Sequence, residues 1–144
     1  MGTPATPPTD PKASSFPELA ADEPAEIVAT VRNGLPTERF GALRELLDVP
    51  SGTLAEIVGI TPSTLSRRRE RGTFNKDESE RLLRVARLVF RAIDVLDGLD
   101  NARKWLTAPA RALGGEPPLE FADTEPGARE VERVLTRLDH GVYS

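Results

Sequence analysis

The chain has 144 residues, 38% of them hydrophobic and only seven aromatic (five Phe, one Trp, one Tyr), enough for one modest core or two small domains sharing an interface. It has no cysteine, which removes disulfides and thiolate metal sites, and a single histidine, which leaves a Ser-His-Asp set to coincidence and a Cys-His set impossible. No apolar run approaches the ~20 residues of a membrane span and no basic-then-apolar leader opens the chain, so a cytoplasmic protein without membrane attachment is expected.

In chain order, residues 1–23 read as a disordered Pro-rich arm. Residues 2–24 hold six of the thirteen prolines, and Pro, Thr, Ser and Ala dominate, a composition that buries too little apolar surface to offset ordering entropy. A short helix is predicted from Pro24 to about Arg32, with Ile27, Val28 and Val31 on one side and Gly34 as its stop. A second covers Thr37 to Leu47, where Phe40, Leu43, Leu46 and Leu47 fall at helical spacing.

The segment Thr53 to Gly72, TLAEIVGITPSTLSRRRERG, reads as a helix-turn-helix. Thr53 and Glu56 have capping-box spacing. Ala55 supplies the small residue where the second helix crosses, Gly59 permits the positive φ of the turn, and Leu65 is the apolar pin of the second helix. Thr61 then Pro62 gives an N-cap followed by proline at the first helical position. The second helix, Pro62 to about Arg71, is expected to expose Ser63, Thr64, Ser66, Arg67 and Arg68, side chains suited to a groove and to phosphates. Charge supports this. Between Thr61 and Arg91 nine basic residues face four acidic ones, a local balance of +5 in a chain of −4. Such a concentrated patch suggests a local polyanion footprint. An acidic protein partner is the alternative for the same arginines.

A longer helix is predicted from Asn75, which pairs with Glu78 as a second capping box, to about Leu96. Leu82, Ala86, Val89, Ile93 and Leu96 form its apolar stripe, widened by Leu83, Val85 and Phe90, while Arg84, Arg87 and Arg91 share the opposite side. The stripe fits intradomain core; as a near-heptad seam it also fits a dimer interface. Gly98 is its stop. Short helices follow at Asn101–Leu106 and Ala108–Leu113, then an apolar segment Leu119–Ala122. A final helix has Thr124 as N-cap, Pro126 in its first turn, and Val131, Val134, Leu135 and Leu138 on one face, and stops near His140-Gly141. No strand-length alternation occurs, so the fold class is all-α, divided into the arm (1–23), a helix-turn-helix domain with the long helix (24–98) and a small helical domain (99–144).

The succession Trp105-Leu106, Pro109, Ala112 to Gly115, Pro117 to Phe121, Thr124-Glu125-Gly127, Val131 to Leu135 and His140 to Ser144 resembles the toxin-binding domain of Xre/MbcA/ParS-type antitoxins. The preceding Thr64 to Leu88 resembles the Xre-like helix-turn-helix and following helix of the same family, and the likeness spans residues 36–144. The resemblance implies an antitoxin that neutralises a RES-domain, NAD⁺-consuming toxin by covering its active site. It also implies binding to the operator DNA of its own operon, usually as a homodimer. Carried over, Ser63, Ser66, Arg67 and Arg68 fall on the DNA-binding motif. Trp105, Leu106, Pro109, Leu113, Gly114, Gly115, Leu119, His140, Gly141, Val142, Tyr143 and Ser144 fall on the toxin-binding motif, which mixes contact residues with those that build the domain.

By their chemistry alone, Trp105 serves packing or an interface, and His140 suits a helix C-terminus. Gly114-Gly115 ends a helix and is no phosphate loop, because no strand precedes it and no Lys-Ser/Thr follows. Tyr143 is either a frayed tail or an aromatic plug for a partner's pocket. No cofactor, metal site or enzymatic activity is expected. The rival reading is a stand-alone helix-turn-helix repressor whose C-terminal domain dimerises or binds a ligand.

Overall fold

A computed structural model describes residues 12, 15–20 and 23–141 of the chain. The described residues form helices α1 (Pro17–Ala20), α2 (Pro24–Asn33), α3 (Glu38–Leu47), α4 (Ser51–Val58), α5 (Pro62–Arg71), α6 (Lys76–Val95), α7 (Leu99–Thr107), α8 (Pro118–Phe121) and α9 (Glu125–Asp139), with a 3₁₀ turn at Arg111–Leu113. They contain no strand. The only extended pairing among them is an isolated antiparallel bridge between Pro36 and Thr73.

Helix α6 is the axis of the fold. Leu82, Leu83, Val85, Ala86, Leu88, Val89, Phe90 and Ala92 are all buried, so apolar side chains leave the helix in most directions and each needs a covering element. Helices α2, α3 and α4 pack on it from the N-terminal half, and α7 and α9 from the C-terminal half. In the apolar stripe of α6, Leu82, Ala86 and Val89 are intradomain core, and Ile93 and Leu96 are partly buried against it. The bridge segment ties the first half together. The Phe74 amide donates to Leu35 O at 2.9 Å, the Thr37 amide to Gly72 O at 3.0 Å, and the Leu35 amide to the buried Ser79 Oγ at 2.8 Å.

Several local expectations hold. Asn75 and Glu78 form a reciprocal capping box, Thr61 Oγ1 accepts from the Thr64 amide, and Thr124 Oγ1 from the Gly127 amide. Three do not. The Thr53–Glu56 capping box is absent: the N-cap of α4 is Pro50, three residues earlier, whose carbonyl accepts from the Thr53 and Leu54 amides and leaves Thr53 inside the first turn. The predicted helix Ala108–Leu113 shrinks to the 3₁₀ turn, since Ala108 precedes Pro109 and is held extended at ψ 146°. The segment after Pro117 is helical, as α8.

The N-terminal arm also departs from expectation where it is described. Phe16 is fully buried and meets the Phe90 ring edge-on, with centroids 6.1 Å apart, while Glu18 binds Arg39 Nε at 2.8 Å. One aromatic anchor and one ion pair outweigh an otherwise polar composition here. Residues 1–11, 13, 14, 21 and 22 of the predicted arm lie outside the described residues. Phe16→Ala removes an aromatic from a filled site and is expected to lower unfolding free energy by ~3–5 kcal/mol, measured by urea denaturation.

Gly127 explains the T-E-x-G pattern that opens the final helix. A Cβ at this position runs into the Phe121 carbonyl oxygen, so only glycine lets α9 start against the end of α8. Gly127→Ala is expected to separate these helices and lower the thermal midpoint by several degrees, seen in a circular-dichroism melt.

Candidate nucleic-acid and toxin interfaces

The helix-turn-helix is built as its spacing suggests. Gly59 ends α4 at φ 67°, and the Ile60 amide returns to Ala55 O at 2.9 Å, a Schellman closure that needs the left-handed glycine. Ala55 and Leu65 are both buried where α4 and α5 meet. At the start of α5, Thr64 Oγ1 accepts from Thr61 Oγ1 at 2.9 Å and from Arg67 Nη2 at 3.2 Å. Ser63, Ser66 and Arg67 are exposed along α5.

The arginines of the basic window serve several purposes. Arg67 faces outward. Arg69 lies over the Phe40 ring at 5.9 Å, and Arg71 Nε donates to Thr73 O. Arg81, on α6, donates to Val58 O at 2.7 Å and to Gly59 O, capping α4. Arg91 reaches Asp139 at 3.4 Å, and Arg84 and Arg87 line a groove of about 570 Å³ with Glu125, Glu132, Lys76 and Val28. The basic side of α6 thus faces carboxylates of α9 spaced seven residues apart, Glu125, Glu132 and Asp139.

Arg68 departs most from expectation. Its side chain is 19% exposed, and it grips Glu78 with two hydrogen bonds, Nε to Oε1 at 2.7 Å and Nη2 to Oε2 at 3.1 Å. A guanidinium held in this way is not a free groove-facing cation. Thr64, half-buried and bonded to its neighbours, also falls short of full exposure. The Glu78 partner could not be read from sequence, where its capping role accounts for it fully.

Within the C-terminal half, Leu106, Leu113 and Leu119 are buried and build the domain. Trp105 is half-buried against that core. Pro109, Gly114, Gly115, His140 and Gly141 are exposed; Val142, Tyr143 and Ser144 lie outside the described residues. Arg103 was not anticipated: from α7 it donates to Leu46 O at 2.7 Å and Glu45 O at 3.2 Å, capping α3 across the two halves. The described residues hold no cluster of metal-ligating side chains, and no helix is long and apolar enough to cross a membrane.

Burial pushes the Glu78 carboxyl up, but the hydrogen bonds from Arg68 and the Asn75 amide, with the charges of Arg68 and Arg81, outweigh it and hold the group below its ordinary value of 4.5. A carboxyl depressed in the folded state contributes stability that is present above its unfolded value and lost as pH falls through the folded one. Urea midpoints are expected to decline as pH drops below about 4.5, and Glu78→Gln to flatten that decline.

Comparison with known proteins finds two family matches. Residues 26–87 match the antitoxin Xre-like helix-turn-helix domain, and residues 91–141 the antitoxin Xre/MbcA/ParS C-terminal toxin-binding domain, so the two matches meet inside α6. Antitoxin Xre of Photorhabdus laumondii is 34% identical over 118 residues, covering 81% of this chain and 80% of the relative. Antitoxin Xre of Yersinia enterocolitica is 31% identical over 128 residues, 88% of this chain and 86% of the relative. The Prs ADP-ribosylating antitoxin of a Sphingobium species is 25% identical over 140 residues, 90% and 88% of the two chains. The C-terminal match sets aside the stand-alone repressor. The chain belongs to the Xre/MbcA/ParS antitoxin family, non-enzymatic proteins that join an Xre-like helix-turn-helix to a C-terminal toxin-binding domain.

Proposed function

We propose that the toxin held by the C-terminal domain is a RES-domain protein that consumes NAD⁺, and that this antitoxin neutralises it by covering its active site. The observation carrying this reading is a packed toxin-binding domain that runs to residue 141 and offers exposed Pro109, Gly114, Gly115, His140 and Gly141 beside half-buried Trp105. The name of the Sphingobium relative speaks of ADP-ribosylation, a transfer that draws on NAD⁺, and this supports an NAD⁺-consuming partner. Leu106, Leu113 and Leu119 support the surface from below. In this proposal the segment His140 to Ser144 enters the toxin's cleft, with the Tyr143 ring as a plug.

In the same proposal the chain binds the operator of its own operon in the cytoplasm. Ser63, Ser66 and Arg67 meet the DNA. A homodimer presents two α5 helices to two half-sites, because a single short recognition helix reads only a few bases. The dimer uses a surface other than the stripe of α6, which its own core occupies.

Co-expression with the product of the neighbouring gene is expected to give a stable complex in which NAD⁺ loss is suppressed relative to the free partner. Failure to co-purify, with NAD⁺ untouched by the partner, removes the RES assignment. Deleting 140–144 is expected to leave the melting curve unchanged and to impair protection of toxin-expressing cells. Full protection by the shortened chain eliminates the plug.

A further inference from the structure

Glu78 is 5% exposed, and a carboxylate so placed needs every lone pair engaged. One group serves three donors. Oε1 accepts from the Asn75 amide at 2.9 Å and from Arg68 Nε at 2.7 Å, and Oε2 accepts from Arg68 Nη2 at 3.1 Å. The amide bond fixes the carboxylate to the first turn of α6. The Arg68 fork fixes it to α5, ten residues back in the chain. Between the two helices runs only Gly72 to Asn75, held toward the start of α3 by the Thr37 amide on Gly72 O at 3.0 Å and by the Pro36–Thr73 bridge. A single buried apolar residue, Leu65, pins α5 near its N-terminal end. Toward the C-terminal end the two-pronged Arg68–Glu78 pair joins the body of α5 directly to α6, and together with the anchored Gly72 it sets the helix's direction.

We infer that Arg68 is a positioning residue, which acts on DNA through Glu78 by fixing the angle at which α5 enters the groove, while the contacting residues are Ser63, Ser66 and Arg67. This rests on the helix-turn-helix binding DNA. Its signature is distinct from that of a phosphate contact. Loss of a phosphate-binding cation lowers the slope of log affinity against log salt by about one, whereas loss of a positioning group weakens binding and leaves the slope unchanged. Glu78 bears a negative charge, so its removal by itself is expected to favour a polyanion. If the clamp sets the helix, its removal instead weakens binding.

The test uses the full-length protein and duplex DNA from upstream of its reading frame, titrated at several salt concentrations and at a temperature where melting curves show every variant folded. Glu78→Gln keeps a side chain that still caps the Asn75 amide, so it isolates the ion pair from the helix start. Glu78→Gln and Arg68→Lys are expected to weaken binding about tenfold with the slope of the unsubstituted protein, and the Arg68→Ala/Glu78→Gln pair to be no worse than Arg68→Ala alone. Arg67→Ala is expected to lower the slope by about one. Glu78→Gln binding at least as well as the unsubstituted protein, or Arg68→Ala lowering the slope by about one, overturns the positioning role while DNA binding stands. No binding by the unsubstituted protein overturns the DNA reading, and this inference with it.

Discussion

The constraint on which the structure depends is the burial of one twenty-residue helix along more than half of its girth. An amphipathic surface helix needs cover on one side only. Helix α6 carries Leu82, Val85, Leu88, Val89 and Ala92 inside, and so needs a shell. Helices α2, α3 and α4 supply part of that shell and α7 and α9 the rest. The buried Phe16, from ahead of the first full helix, closes it against Phe90. The DNA-binding and toxin-binding halves therefore share one core element. A disturbance of either half is felt at α6.

The second organising principle is the use of arginine at helix ends. The last carbonyls of a helix lack intrahelical donors and carry the negative end of the macrodipole. Arg81 answers this at the end of α4 and Arg103 at the end of α3, each from a different helix and each with a 2.7 Å bond. Arg103 is the more consequential, because it reaches from the toxin-binding half to the helix-turn-helix half. Arginine suits the task because its planar fork meets two adjacent carbonyls at once.

This inward use of charge narrows the free basic face. The +5 window seen in sequence suggests a broad basic face, yet Arg68 is tied to Glu78, Arg81 to backbone and Arg91 to Asp139. The exposed side chains of α5 include Ser63, Ser66 and Arg67, with Arg69 over the Phe40 ring and Arg71 on Thr73 O.

Sequence by itself determined the helices, most of their ends and the family. Those are local matters: the apolar period of α6, the Asn75–Glu78 box, Thr61 before Pro62, Gly59 in its turn and Thr124 before Pro126 each depend on residues within a few positions of one another. Where local cues competed, sequence misplaced a boundary. Thr53 and Glu56 have capping spacing, but the Pro50 carbonyl starts the helix first; Pro109 breaks the helix that Ala108 to Leu113 otherwise suits. Tertiary structure alone decided which charged and apolar groups face inward. The partner of Arg68 lies ten residues away and those of Arg103 more than fifty. Phe16 finds Phe90 across the fold, out of a segment whose composition argues for disorder. Contacts between elements depend on how the helices pack around α6, and no spacing within one helix encodes that.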